Sequence, residues 1–192
     1  MSAAPEIVEW PARPYVAIPA HVTMATLGTV VPPLNGEVFR WLAERGAGAA
    51  GAPFWKYNVI DMDRELEIEA GVTVPQPLAG DGRVVAGTLP AGRYATLVHV
   101  GHPSELAGAT RTLLDWAAGQ GLTWDMQPGE AGERWGSRLE IYLTDPSQEP
   151  DMSKWETQLA FRLASQPNTA TARSAIVDPL LMAQLRSVWP VS

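Results

Sequence analysis

The sequence contains no cysteine among its 192 residues. This absence excludes disulfide bonds, thiolate nucleophiles and cysteine-ligated metal sites, and it is compatible with a reducing compartment. Long apolar segments are also missing, since no run approaches the ~20 residues that a transmembrane helix requires. The start of the chain, with Glu6 and Glu9, lacks the pattern of a secretory signal. We therefore expect a cytoplasmic location and no membrane partner.

Basic residues are few, with 14 Lys and Arg against 21 Asp and Glu, which gives a formal net charge of −7. Because nucleic-acid binding relies on clustered Lys and Arg, this balance argues against a nucleic-acid partner. The three histidines, His21, His99 and His102, have no zinc-binding spacing, and neither a glycine-rich phosphate loop nor a G-x-S-x-G motif is present. We predict no metal site and no cofactor.

The sequence does have ample apolar surface and many tryptophans. Its apolar content is 46%, enough to bury a core in a chain of this length. Eight tryptophans are present, and this residue is favoured where a flat apolar surface and one hydrogen-bond donor are both useful. The tryptophan count therefore needs an explanation, and it is compatible with binding of aromatic ligands, although aromatic residues also fill ordinary cores.

The order of predicted elements repeats along the chain. In the first half, about residues 5–75, strand patterns at 15–24, 53–60 and 66–74 surround a helix at Asn35–Arg45. In the second half, about residues 83–163, strand patterns at 84–101, 138–144 and 155–163 surround a helix at 104–120 with Ser104 as N-cap. We predict an α+β fold in which two β-α-β-β repeats form an antiparallel sheet, with helices on one face and a central ligand groove.

A C-terminal extension follows the repeats. Residues 1–163 form one predicted domain, and residues 164–192 contain the pattern of a short helix that begins at Asp178-Pro179. Leu181, Leu185 and Val188 are spaced to share one face of that helix. The extension could cover the same chain, the mouth of the groove or a second copy, so a protein partner or homodimer stays open.

The segment 138–144 carries the most informative pattern. Strand alternation sends Leu139, Ile141 and Leu143 to one face, which we expect to lie against the helices, and sends Glu140 and Tyr142 to the other. A glutamate on the polar side of a strand is often only a solvated surface residue. That alternative stays open on the pattern alone.

The corresponding strand of the first half strengthens the case. When Tyr57 is aligned with Tyr142, Trp55 and Tyr57 share a face, so two paired halves would present two aromatics beside Glu140. A carboxylate framed by rings suits flat cations, which gain ~0.5–2 kcal/mol from cation–π attraction. Glu67 and Glu69 form another acidic pair, but on the outer face of an edge strand we expect them to be solvated rather than catalytic.

Five segments together carry a resemblance to a known family. They are Pro53–Tyr57, Leu66–Val72, Leu89–Ala95, His99–Gly101 and Leu139–Leu143. Over roughly residues 5–163 the chain resembles the GyrI-like proteins, the effector-binding or multidrug-binding domains of bacterial transcription activators. The resemblance implies a groove for lipophilic, aromatic and often cationic compounds, with an acid at the position of Glu140 as a key contact. It also implies a stand-alone member, since strand patterns begin by about Tyr15 and leave no room for a DNA-binding helix-turn-helix.

The predicted ligand contacts fall into two groups. We place Trp55, Tyr57, Glu140 and Tyr142 first. Five further aromatic residues are weaker candidates: Tyr94, His99, Trp116, Trp135 and Trp155. Tyr94 and His99 have opposite strand parity, so both could line one groove only if a bulge intervened.

Three functions are compatible with these residues. The first is binding or sequestration of aromatic or cationic small molecules. The second, which the resemblance implies for some stand-alone members, is hydrolysis of cyclopropanoid DNA-alkylating antibiotics, with Glu140 as the residue that positions or activates water and Tyr142 or Tyr57 as the group that polarises a carbonyl. The third is a protein-interaction role such as binding gyrase.

Overall fold

The computed structural model describes residues 3–165. The predicted helix at 178–188 lies outside these residues. Within residues 3–165 no helix has the length and apolar character that crossing a membrane demands. The described elements are strands β1 (Glu6–Trp10), β2 (Arg13–Val22), β3 (Pro53–Ile60), β4 (Leu66–Thr73), β5 (Val85–Leu89), β6 (Gly92–Val100), β7 (Met126–Gly129), β8 (Gly132–Trp135), β9 (Arg138–Tyr142) and β10 (Glu156–Arg162), and helices α1 (Leu27–Val30), α2 (Pro32–Glu44) and α3 (Leu106–Gly119).

The strands form one curled antiparallel sheet in the order β1-β6-β10-β9-β3-β4-β2-β5, and the β7–β8 hairpin extends from β3. The centre of the sheet consists of three strands from each half, β3-β4-β2 and β9-β10-β6, and the halves join where β3 pairs with β9. Residues of α2 and α3 pack into a single core on one face of this sheet. The predicted α+β fold, with tandem β-α-β-β halves and helices on one face, is confirmed.

The outermost strands are exchanged between the halves. β1 precedes β2 in the chain but pairs with β6, and β5 precedes β6 but pairs with β2. The prediction that strand structure begins near Tyr15 is wrong, because β1 begins at Glu6. A five-residue edge strand has too few alternating residues to be recognised without its partner.

The strand register makes the internal repeat explicit. Tyr15 pairs with Thr73 and Tyr94 pairs with Arg162, so equivalence of the two tyrosines makes Thr73 equivalent to Arg162. The same comparison applies to the next strand pairs, β4 with β3 and β10 with β9, and it makes Pro53 equivalent to Arg138. Trp55 is then equivalent to Glu140, and Tyr57 is equivalent to Tyr142.

Trp55 and Glu140 are also direct cross-strand partners. Two residues that are both equivalent and opposite lie next to the pseudo-twofold axis, one on either side of it. They therefore mark the centre of the sheet.

The helix-face core explains why α2 forms. Leu34, Val38, Trp41 and Leu42 are spaced to form one apolar stripe, and all four are buried. Proline at the first position suits a helix start, and Gly46, with φ of +61°, follows the helix end. The helix thus begins at Pro32 rather than at the predicted Asn35.

Two predictions about faces and caps were wrong. Leu139 and Ile141 do not lie against the helices, because they join Phe54 and Tyr94 in a second core on the opposite face of the sheet. Their strand's polar face therefore points to the helix side. Ser104 is not an N-cap, because it lies within a short 3₁₀ turn in which its backbone N–H donates to the His102 side chain.

The expected edge position of Glu69 was also wrong. β4 lies between β2 and β3 in the sheet interior. On the face away from the helices, the Glu69 carboxylate accepts hydrogen bonds from Tyr15 at 2.8 Å and from Lys56 at 3.2 Å. The residue belongs to a largely buried polar cluster rather than to a solvated edge.

Candidate ligand-binding site

A groove of about 1490 Å³ lies on the helix face of the sheet, between α2 and α3 and over the β3–β9 junction. One wall comes from the first half and is almost entirely apolar: Met24, Leu27, Pro32, Phe39, Met62 and Leu66. The other wall comes from the second half and carries charges at Arg111, Asp115, Asp145 and Glu156. The groove therefore has one lipophilic side and one polar side.

The centre of the floor combines two rings and a carboxylate. The hydroxyl of Tyr142 donates to Oε2 of Glu140 at 2.9 Å. The rings of Trp55 and Tyr142 meet edge to face, with centroids 5.1 Å apart and planes at 70°. Tyr57 also interacts with the Glu140 carboxylate. All four residues line the groove, so strand pairing brings together the set placed first in the sequence analysis.

Burial raises the pKa of Glu140, whereas the hydrogen bonds from Tyr142 and Tyr57 and the charge of Arg138 oppose that rise. The same site holds the pKa of Tyr142 and that of Tyr57 well above the ordinary value, mainly by burial and next by the Glu140 charge. Both phenols therefore remain protonated donors. The arrangement is a carboxylate in a largely apolar groove, and its ionised form is stabilised by two tyrosine hydroxyl groups and by the charge of Arg138.

Asn35 fixes the orientation of Trp55. Its Oδ1 accepts from the Trp55 indole N–H at 2.8 Å, and its Nδ2 donates to the backbone oxygen of Gly71 at 3.2 Å. One side chain on α2 therefore joins the helix to β4 and holds the ring on the floor. This role was not predicted from the sequence, because its only signal there is a polar residue near the start of an amphipathic helix.

Arg138 was also missed. It lies on the same face of β9 as Glu140 and lines the groove. Its guanidinium carbon lies 4.8 Å from the ring centre of Trp135 and 4.5 Å from that of Phe161. The alternation that singled out Glu140 and Tyr142 extends back to Arg138, so parity alone could have included it.

The five weaker candidates are divided by the fold. Trp155 lines the groove. Tyr94 lies in the core on the opposite face, where its hydroxyl donates to the Pro90 carbonyl at 2.7 Å. His99 is on the helix side of β6, with its Nε2 3.4 Å from a Glu105 carboxylate oxygen, and the strand has no bulge that would bring it to the face of Tyr94. Trp116 packs against the main core.

Trp135 lies apart from the groove in an aromatic cluster. Its ring is 5.8 Å from those of Trp124 and Phe161. Four of the eight tryptophans are thus explained by packing at Trp116, Trp124 and Trp135 and by a helix-to-loop bond at Trp41, whose indole donates to Asp81.

The family model described as the GyrI-like small molecule binding domain matches residues 3–164. The chain belongs to the GyrI-like family. The resemblance noted from the sequence is confirmed, and a small molecule is the class of partner that this family description supports. No curated protein matches the chain.

Solved structures share the GyrI-like fold at low sequence identity. The C-terminal domain of EcmrR is 18% identical, with a TM-score of 0.65 over 85% of this chain and 98% of that one. SAV2435 bound to tetraphenylphosphonium is 10% identical, with a TM-score of 0.56 over 85% and 95% of the two chains. A hydrolase from Listeria innocua is 16% identical, with a TM-score of 0.54 over 83% and 91%. Identities this low show the fold alone.

EcmrR has also been solved in a complex with DNA, and there this chain spans 58% of the EcmrR length, at 18% identity and a TM-score of 0.66. The fold therefore occurs within a protein that contacts DNA. The absence of a nucleic-acid partner, expected here from the acidic composition, stays a prediction.

Proposed function

We propose that this GyrI-like protein binds lipophilic aromatic cations in the groove, with Glu140 as the compensating charge. The observation that carries the proposal is the position of Glu140, on the floor of an apolar groove, held by Tyr142 and beside the ring of Trp55. A charge in such surroundings is costly unless it is paired, so the groove favours ligands of the opposite charge.

The walls determine what kind of cation fits. A small hydrated ion gains little from Met24, Leu27 and Phe39, whereas an arylated cation buries apolar surface against them at roughly 25 cal/mol per Å². The Trp55 and Tyr142 rings add cation–π attraction of ~0.5–2 kcal/mol. Lipophilicity and charge therefore contribute from different sides of one groove.

Tetraphenylphosphonium, the ligand named with SAV2435, is a suitable probe. Its anionic counterpart of similar shape, tetraphenylborate, isolates the contribution of charge. We expect calorimetric titration to show binding of the phosphonium and much weaker binding of the borate. Glu140→Gln should reduce this difference by at least about tenfold, the effect of losing a partly desolvated charge pair.

A matched control is Glu69→Gln, which changes a carboxylate with a similar tyrosine hydrogen bond on the opposite face of the sheet. It should retain the discrimination between the two probes. If wild type binds both probes equally, or if Glu140→Gln discriminates as well as wild type, the proposed role of Glu140 is wrong.

A second candidate function is hydrolysis of an electrophilic cyclopropane conjugated to a carbonyl. It is favoured by the raised pKa of Glu140, since a carboxylate of increased basicity is a better general base. In this scheme Glu140 accepts a proton as water forms a bond to a ring carbon. The ring C–C bond breaks toward the carbonyl, which Tyr57 or Tyr142 polarises by hydrogen bonding, and protonation of the resulting enolate completes the addition of one water.

Mass spectrometry after incubation with such a compound tests this scheme. Hydrolysis predicts a product heavier by one water, formed by wild type and at a rate at least ~100-fold lower by Glu140→Gln. Recovery of the unchanged compound, together with measurable binding, would leave the binding function in place and refute the hydrolytic one.

A further inference from the structure

Arg138 places a second charge on the groove floor that cation binding does not use. The residue precedes Glu140 by two positions on β9, which puts the two side chains on one face with origins roughly 7 Å apart. It lines the main groove and also a smaller cavity of about 540 Å³ beside the β7–β8 hairpin. A cation and an anion are thus neighbours on one side of the pseudo-twofold axis.

The surroundings of Arg138 fix its plane but do not occupy its donors. Its guanidinium lies against Trp135 and Phe161, with Tyr57 farther away at 6.0 Å. Across the described residues 3–165, the group has neither a hydrogen-bond partner within 3.5 Å nor a carboxylate within 4.0 Å. Five N–H donors are therefore available at the groove floor.

The guanidinium is charged and accessible from the groove. Burial lowers the pKa of Arg138, and the negative charges around it, Glu140 first, act in the opposite direction. An arginine nevertheless remains charged in proteins. Its nitrogens are not among the fully buried side-chain atoms without a hydrogen-bond partner in residues 3–165, so they are accessible to solvent or to a ligand in the groove. A ligand oxygen that accepts from them would form charge-assisted hydrogen bonds while the rings keep the guanidinium in place.

The internal repeat shows that this feature is specific to one half. The position equivalent to Arg138 is Pro53, which has no donor, and the position equivalent to Glu140 is Trp55. The charged part of the floor is therefore confined to β9. A ligand that pairs with both charges of β9 must carry its own two charges at one end, with its apolar body directed toward the first half.

We propose that Arg138 forms a subsite for an anionic oxygen, so that the preferred ligands are aromatic zwitterions. Their cationic part lies at Glu140, and their carboxylate or phenolate lies at Arg138. This inference rests on the proposed function, since it assumes that ligands occupy the same groove. It deepens that function by naming the class of ligand, because a groove floor whose only charge was Glu140 would disfavour the anionic part of a zwitterion.

Two dyes that differ by one methyl group test the subsite. Rhodamine 110 carries a free carboxylate beside its cationic ring system, and rhodamine 123 is its methyl ester. By fluorescence anisotropy, we expect wild type to bind rhodamine 110 about tenfold more tightly, the effect of one charge-assisted contact. Equal affinities, or a preference for the ester, would overturn the inference even though cation binding stood, whereas binding of neither dye would contradict the proposed function itself.

Variants assign the preference to a residue. Arg138→Met should bring the ratio of the two affinities close to one, and Arg138→Lys should restore part of it, because lysine keeps the charge but not the planar fork. Arg13→Met is the matched control, since Arg13 also lies over a tryptophan, 4.2 Å from the Trp10 ring, but outside the groove. Arg13→Met should keep the wild-type ratio, and an unchanged ratio in Arg138→Met would refute the assignment.

Discussion

Substitution of Tyr142 by phenylalanine should change the pH dependence of cation binding. The ring is retained, so the edge-to-face contact with Trp55 persists, but the 2.9 Å hydrogen bond to Glu140 is lost. That bond stabilises the ionised carboxylate and lowers a pKa that burial has raised. Its removal therefore raises the pKa of Glu140 further. Since a cation binds to the ionised form, affinity rises with pH through this pKa, and the curve of the variant should lie at higher pH.

The size of the effect depends on where it is measured. A hydrogen bond to a charged group contributes about 1.5–3 kcal/mol, and each 1.4 kcal/mol corresponds to a tenfold change in affinity. Within the titration range of Glu140, we expect Tyr142→Phe to weaken tetraphenylphosphonium binding by about tenfold or more. Well above that range Glu140 is ionised in both proteins, so the difference in affinity should vanish. It could even reverse, because in Tyr142→Phe the cation meets a carboxylate that accepts fewer hydrogen bonds.

Calorimetric titrations at a series of pH values separate this mechanism from general damage to the groove. A structural defect would weaken binding at every pH by a similar factor. Tyr15→Phe provides the control, since it removes a tyrosine–carboxylate bond of 2.8 Å to Glu69 on the opposite face. It should leave the pH profile unchanged. A profile of Tyr142→Phe that is parallel to that of wild type, or displaced to lower pH, would refute the reasoning.

Three further predictions concern the stability of the fold and the floor of the groove. The pKa of Glu140 is raised in the folded protein, so its contribution to stability is lost as pH rises from the unfolded pKa of about 4.3 through the folded pKa. In urea unfolding, Glu140→Gln should therefore gain stability relative to wild type over that pH interval. A difference in unfolding free energy that does not change with pH would contradict this. Gly71→Ala should destabilise the fold by more than ~1 kcal/mol, because the new Cβ would lie 2.8 Å from the backbone oxygen of Val16, whereas Gly36→Ala, with nothing within 4 Å, should stabilise α2 by up to about 1 kcal/mol. Asn35→Leu should weaken phosphonium binding about fivefold by releasing the Trp55 indole, whereas Asp81→Leu, which releases the Trp41 indole outside the groove, should not; equal losses in both would exclude the proposed positioning role.

The fold could be predicted from sequence where a pattern has its full period. The apolar stripe of α2 and the alternation of β4 are each long enough to define an element and its buried face. β1 and the β7–β8 hairpin were not predicted, because strands of four or five residues depend on a distant partner for their hydrogen bonds. The face of β9 was reversed for a related reason. Leu139 and Ile141 indicate a buried side, but both sides of this sheet are covered, and periodicity does not distinguish between them.

The candidate site could be predicted in part from parity and alignment. The alignment of Tyr57 with Tyr142 agrees with the register, and it placed Trp55 near Glu140. Asn35 could not be identified in the same way, because its contact with Trp55 spans 20 positions and two elements. Tyr94 shows the opposite error, in which an aromatic residue within a family-like segment fills a core instead.

The pseudo-twofold axis explains why divergence between the halves matters at this groove. An ancestral repeat with identical halves would place two like residues face to face at positions 55 and 140. Two tryptophans would offer stacking without a charge, and two glutamates would repel each other in an apolar site. The observed pair of one ring and one carboxylate avoids both outcomes, and the difference between Pro53 and Arg138 extends the same asymmetry along the strand. The groove can thus orient a ligand by its charged end, which a symmetric floor could not do, and this orientation is the property that the paired rhodamine dyes measure.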